Sequence, residues 1–130
     1  MRITRTTLDI GLPAPFTALH LSDTHVALAD ERDDERKRAL AVSRSAYFNQ
    51  PTGDNLALFE QQIDYACTHG LPVLYTGDIL DFVSFKNLEY AKAQLDRVDY
   101  FLCAGNHEYS QYVGEAFEDV AYRMQTYALV

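Results

Sequence analysis

Phe16-Thr17-Ala18-Leu19-His20-Leu21-Ser22 is a short, mostly apolar run that ends at an acidic residue and leads into Asp23-Thr24-His25. A run of this length and composition predicts a buried strand. Two further runs share its form. Pro72-Val73-Leu74-Tyr75-Thr76 leads into Gly77-Asp78-Ile79-Leu80-Asp81, and Asp99-Tyr100-Phe101-Leu102-Cys103-Ala104 leads into Gly105-Asn106-His107-Glu108. Helical patterns separate the three. Asp54 is placed to cap a helix carrying Leu56, Phe59, Ile63 and Cys67 on one stripe, with Gly70 to end it. Ser84 is placed to cap a second, with Phe85, Leu88, Lys92 and Leu95 in register. Val113, Ala116, Phe117, Val120, Ala121 and Met124 form a third apolar face. Strand alternating with helix requires crossover connections, so the expected class is α/β with a mostly parallel sheet.

Around this frame, residues 3–10 are rich in β-branched types and predict an edge strand, followed by a turn at Gly11-Leu12-Pro13-Ala14-Pro15. Residues 30–45 are charge-dense, predicted to be helical in part and to lie on the surface, with Asp30 to Arg38 a solvated face. The 130 residues suit one domain, spanning 1–130. The net charge of −8 argues against a general phosphate-backbone binder, so no nucleic-acid partner is expected. No apolar run approaches the ~20 residues of a membrane span, and the N-terminus lacks a secretory signal's apolar centre. Cys67 and Cys103 lie in apolar stretches and read as buried free thiols, which makes the cytoplasm the expected location.

In an open α/β sheet, ligands bind beyond the carboxyl ends of the strands. All three predicted strands end there in potential metal ligands, carrying Asp23, His25, Asp78, Asn106 and His107 between them. Carboxylate, imidazole and amide oxygen together suit borderline or hard divalent ions such as Mn²⁺, Fe²⁺ or Zn²⁺. In Asp23-Thr24-His25, alternation along an extended backbone would put both side chains on one side of a shared ion. Asp78 has two oxygens and could bridge two ions, and such a pair stabilises attacking and departing oxygens in phosphoester cleavage. Gly77 and Gly105 permit tight backbone geometry.

Asp23-x-His25, Gly77-Asp78-x-x-Asp81 and Gly105-Asn106-His107-Glu108 resemble the first three signature blocks of the calcineurin-like metallophosphoesterase superfamily. The resemblance covers Phe16 through Glu108. It implies a metal-dependent phosphatase or phosphodiesterase with two divalent ions, manganese first among Mn, Fe and Zn. By this resemblance Asp23 and His25 would bind the first metal, Asp78 would bridge both, and Asn106 would bind the second. His107 would contact the phosphate of the phosphoester substrate and act as general acid, while a metal-bridging hydroxide attacks phosphorus. Asp81 would orient the site from outside the metal sphere. It stands where purple acid phosphatases carry an iron-ligating tyrosine, which disfavours that subclass.

Two departures accompany the resemblance. The gap from His25 to Gly77 is long for the family, and residues 27–53 read as an inserted cap over the mouth. No histidine follows His107, although the family draws further histidine ligands from its second half. The resemblance therefore implies half of a four-layer α/β/β/α sandwich, truncated at its C-terminal side, with self-association or pairing with the missing half expected. The competing expectation is an inactive metallophosphoesterase-like scaffold or interaction module. Among the remaining candidates, His20 reads as a core or supporting histidine and His69 as a helix-end cation. Tyr109 and Tyr112 are the candidate substrate contacts.

Overall fold

The computed structural model describes residues 2–49 and 53–109. The elements run β1 (Leu19–Leu21), α1 (Glu35–Asn49), α2 (Asn55–His69), β2 (Val73–Tyr75), α3 (Phe85–Leu95) and β3 (Tyr100–Leu102). The sheet is parallel in the order β1-β2-β3, with Leu19 opposite Val73 and Val73 opposite Tyr100. The α/β class and the alternation of strand with helix are as the sequence predicts. The third apolar face, over residues 113–124, lies outside the described residues, as does Tyr112.

The helices form where local chemistry satisfies their ends. Asp54 accepts from the Leu56 and Ala57 amides at 3.0 and 3.1 Å, and Gly70 closes α2 at φ 60°. Its buried stripe is Phe59, Ile63 and Ala66, packed on Val73 and Tyr75 of the central strand. Ser84 accepts from the Asn87 amide at 3.0 Å and caps α3. Both caps fall where the sequence puts them.

The stripe on α3 is rotated from its predicted register. Asn87, Ala91 and Leu95 face inward, while Phe85 and Lys92 face out. The cause is polar: the wholly buried Asn87 amide receives the Leu28 N–H at 2.6 Å and donates to Phe82 O at 2.7 Å. A paired amide can occupy a core position that an unpaired one could not.

Four further expectations are corrected. Residues 3–10 form no strand; Leu8 and Ile10 are 77% and 72% exposed, because β-branched composition without a partner does not make a ladder. β3 is exposed rather than buried, with Phe101 at 66%, and β1 buries only Leu21, since both are outer strands of the sheet among the described residues. Cys67 and Cys103 are exposed thiols: Ala66 takes the inward position beside Cys67, and Cys103 follows the outer strand. His20 is likewise exposed, bonded through Nε2 to Thr76 Oγ1 at 2.8 Å, so it is not a core histidine.

Candidate metal centre

Beyond their ends β1 and β2 continue as two adjacent loops. The Asp23 amide donates to Gly77 O at 3.1 Å, the His25 amide to Asp78 O at 3.0 Å, and the Val26 amide to Ile79 O at 2.7 Å. The Asp81 amide then donates back to Val26 O at 2.9 Å. The loop after β3 presses on this pair. A Cβ on Gly77 would lie 2.6 Å from the Gly105 nitrogen, and one on Gly105 would lie 2.2 Å from Asp78 Oδ1. Glycine is required at both positions because the loops touch backbone to backbone. Glu108 fastens them: its buried carboxylate receives the amides of Asp78 (2.8 Å), Gly105 (2.7 Å) and Leu80 (3.0 Å).

This zipping brings three of the four predicted ligands together; the Asn106 side chain is not shown to join them. One ligand atom from each of Asp23, His25 and Asp78 lies within 4.8 Å of the others. His25 Nε2 stands 3.8 Å from Asp23 Oδ1. The route differs from the predicted one, for the backbone here is not extended. Asp23, His25 and Asp78 have φ of 55°, 51° and 56°, and they are the non-glycine residues with positive φ among the described residues. Each such conformation costs about 1–2 kcal/mol for an L-residue. Three in one cluster is strain held by the surrounding hydrogen bonds, a pattern that belongs to functional sites.

A second group lies deeper. His25, Asp81 and His107 also offer ligand atoms within 4.8 Å of one another. Asp81 is 1% exposed and receives Arg44 Nε at 2.7 Å and Nη2 at 2.9 Å. Burial pushes its carboxyl up, but contacts from His25 and Arg44 outweigh burial and hold it below the usual carboxylate range. Its Oδ1 lies 3.3 Å from His25 Nδ1, a buried nitrogen without a well-aligned hydrogen-bond partner. His107 Nδ1 sits 2.6 Å from Asp81 O, and the His107 amide donates to Asp78 Oδ1 at 3.0 Å. Asn106 is exposed in the turn between Gly105 and His107, both of which touch Asp78.

The donor set fits a divalent cation. A ligating histidine commonly turns one nitrogen to the metal and the other to a carboxylate that fixes its ring. His25 is arranged for this, with Nε2 toward Asp23 and Nδ1 toward Asp81.

Four contributors were not singled out from the sequence. Arg44 grips Asp81, Phe48 stacks on His25, Glu108 ties the loops, and the Asn55 amide donates to Thr24 O (3.1 Å) and His25 O (3.2 Å). Only Glu108 lies inside a recognised block. α1, predicted as surface, therefore reaches the site through one face. His69 closes α2 as predicted, its Nδ1 2.8 Å from Tyr65 O, and Tyr109 is exposed beyond Glu108. A groove of about 350 Å³ at the other end of the strands, between Cys67, Pro72 and Asp99, holds none of these ligands. No family model matches this chain, and neither the curated proteins nor the solved structures hold a match to it.

Proposed function

We propose that the chain carries a dimetal centre of a metal-dependent phosphoesterase, of the kind its three blocks resemble. The observation that carries this reading is the coincidence of strain and chemistry at Asp23, His25 and Asp78, whose φ values lie between 51° and 56°. Divalent ions bound there would supply positive charge to the phosphoryl oxygens and lower the pKa of an attacking water. Asp23 and His25 would hold the first ion, Asp78 would serve both, and Asn106 would hold the second. His107 protonates the departing oxygen. Its Nδ1 meets Asp81 O at 2.6 Å, which fixes the ring, and Nε2 is the nitrogen assigned to hand over the proton. Asp81 fixes both histidines.

The reading extends to half of a four-layer sandwich, with the other sheet supplied by a second chain or segment. The cytoplasm is its proposed compartment. The unpaired thiols Cys67 and Cys103 support that location, and no described helix is long and apolar enough to cross a membrane.

The test is Mn²⁺-dependent hydrolysis of a phosphomonoester and a phosphodiester. His107→Ala should lower turnover by about 10²–10⁴-fold while Mn²⁺ still binds. A loss below tenfold removes His107 as the acid. The second reading is a metal-binding scaffold without hydrolysis. That reading is correct if Mn²⁺ binds and neither ester is cleaved.

A further inference from the structure

Helix α1 approaches the metal centre with an aromatic ring that no hydrolytic step requires. The Phe48 ring lies on the His25 imidazole with centroids 4.7 Å apart and planes 8° from parallel. His107 meets the same imidazole edge-on, at 4.6 Å and 82°. The Arg44 guanidinium, whose nitrogens hold Asp81, sits 4.9 Å from the Phe48 ring centre. One helix thus fixes both groups that orient His25: Arg44 sets the carboxylate facing Nδ1, and Phe48 lies along the ring.

A ring packed flat against another cannot turn about its Cβ–Cγ bond without driving an edge into its neighbour. The two nitrogens of His25 have different tasks, Nε2 facing Asp23 Oδ1 at 3.8 Å and Nδ1 facing Asp81 Oδ1 at 3.3 Å. A half-turn of the ring would put a carbon where Nδ1 now faces Asp81. We infer that Phe48 is a positioning residue for the metal centre, holding the His25 ring in the one orientation that offers Nε2 to a divalent ion while Nδ1 faces Asp81. This rests on the metal-centre reading above and adds to it that the segment between the first two blocks is part of the site. Phe48 has no donor atom, so its effect passes through the side chains it touches, His25 directly and Asp81 by way of Arg44.

The experiment titrates Mn²⁺ into the full chain and into Phe48→Ala, Phe48→Leu and Phe48→Tyr, with affinity read by calorimetry and by the EPR signal of free Mn²⁺. Loss of ring support should weaken binding about tenfold in Phe48→Ala and Phe48→Leu, the scale on which outer partners of metal ligands act. Phe48→Tyr keeps the flat face and should bind as the native chain does. In the metal-free protein, the His25 ring protons should be shifted upfield by the Phe48 ring current, and that shift should vanish in Phe48→Leu. A helix-packing role alone would lower the melting temperature and leave Mn²⁺ affinity unchanged. If Phe48→Ala fails to fold, the Leu and Tyr variants decide. Native affinity in folded Phe48→Leu overturns the positioning role alone; a native chain that binds no Mn²⁺ overturns the metal centre beneath it.

Discussion

Asp78 and Asp81 are three residues apart on one loop and live in opposite electrostatic worlds. Asp81 is 1% exposed, and its charge is already answered by two N–H groups of Arg44. Asp78 is half-buried at φ 56°; its Oδ1 takes one backbone N–H, from His107 at 3.0 Å, and a cation would add to that contact. The inner group, Asp81 with His107 and Arg44, is a finished clamp. The outer group, Asp23 with His25 and Asp78, is strained and exposed on the Asp23 side, where the carboxylate is 66% exposed. A loop that invests stability in one carboxylate and strain in the next separates holding a site from being one.

The largest expected effect breaks the outer group. Asp78→Asn keeps an oxygen to accept the His107 amide but removes the charge that its proposed bridging role requires. Hydrolysis should fall by at least about 10²-fold, the lower bound set by loss of the general acid alone. The urea midpoint should move little. An active Asp78→Asn would erase the distinction between the two carboxylates.

The inner group should respond the other way round. Asp81→Ala strands the Arg44 guanidinium and removes the carboxylate that faces His25 Nδ1, while the carbonyl that meets His107 stays, so stability should drop by about 3 kcal/mol in urea unfolding. That figure sits at the lower end for a broken buried pair because the Arg44 side chain is 20% exposed and can turn toward water. A midpoint equal to the native one would mean that Asp81 is no clamp. Between these cases stands Gly77→Ala. Its Cβ would meet Gly105 N at 2.6 Å, on a residue with φ of 102°. Overpacking of this kind costs about 1–3 kcal/mol before strain is added, and both groups should suffer together.

How much of this the sequence discloses follows from where its signals are local. The caps at Asp54 and Ser84 are legible because an N-cap needs only its own side chain and the next two or three amides. The three strand ends are legible because an apolar run followed by Gly, Asp, Asn or His is a contiguous pattern. Left-handed φ at Asp23, His25 and Asp78 is not, since it arises from two loops zipped side by side across fifty residues of chain. Nor is the approach of α1. Its inward face carries Lys37, Ala41, Arg44 and Phe48, so two of the four positions that mark a buried stripe are cationic. A charged side chain with a buried partner looks, in sequence, like a solvated one. The exposure of β3 is hidden for the reverse reason: an apolar run states a preference for burial, while the sheet order decides whether cover exists.

A smaller effect, of opposite sign, sharpens the contrast. Asp23 costs stability by its conformation, and the proposed cation would offset that cost. Asp23→Gly should therefore raise unfolding free energy by about 1 kcal/mol in the metal-free chain. The same variant should weaken Mn²⁺ binding. Lower stability in the metal-free variant would show that the φ of 55° carries no strain.

The smallest effect compares two arginines that look alike on paper. Arg32 also makes a forked contact, to Glu89 of α3 at 2.8 Å and to Asp30 at 2.6 Å, as Arg44 does to Asp81. Its side chain is 42% exposed and Glu89 is 56% exposed, so water and salt screen the attraction. The Arg32 guanidinium holds the Asp30 carboxyl down at about 2 from an ordinary 3.8. A depressed carboxyl contributes its stability in full above 3.8 and loses it as pH falls toward 2. Any effect of Arg32→Ala should thus be the same at pH 5 and pH 7, and should vanish in 0.5 M salt, where screening shortens to roughly 4 Å. Arg44→Ala should still destabilise the chain in that salt, because the oxygens it leaves behind belong to a carboxylate that water does not reach. Equal salt sensitivity in the two variants would place Asp81 at the surface and undo the contrast with Asp78.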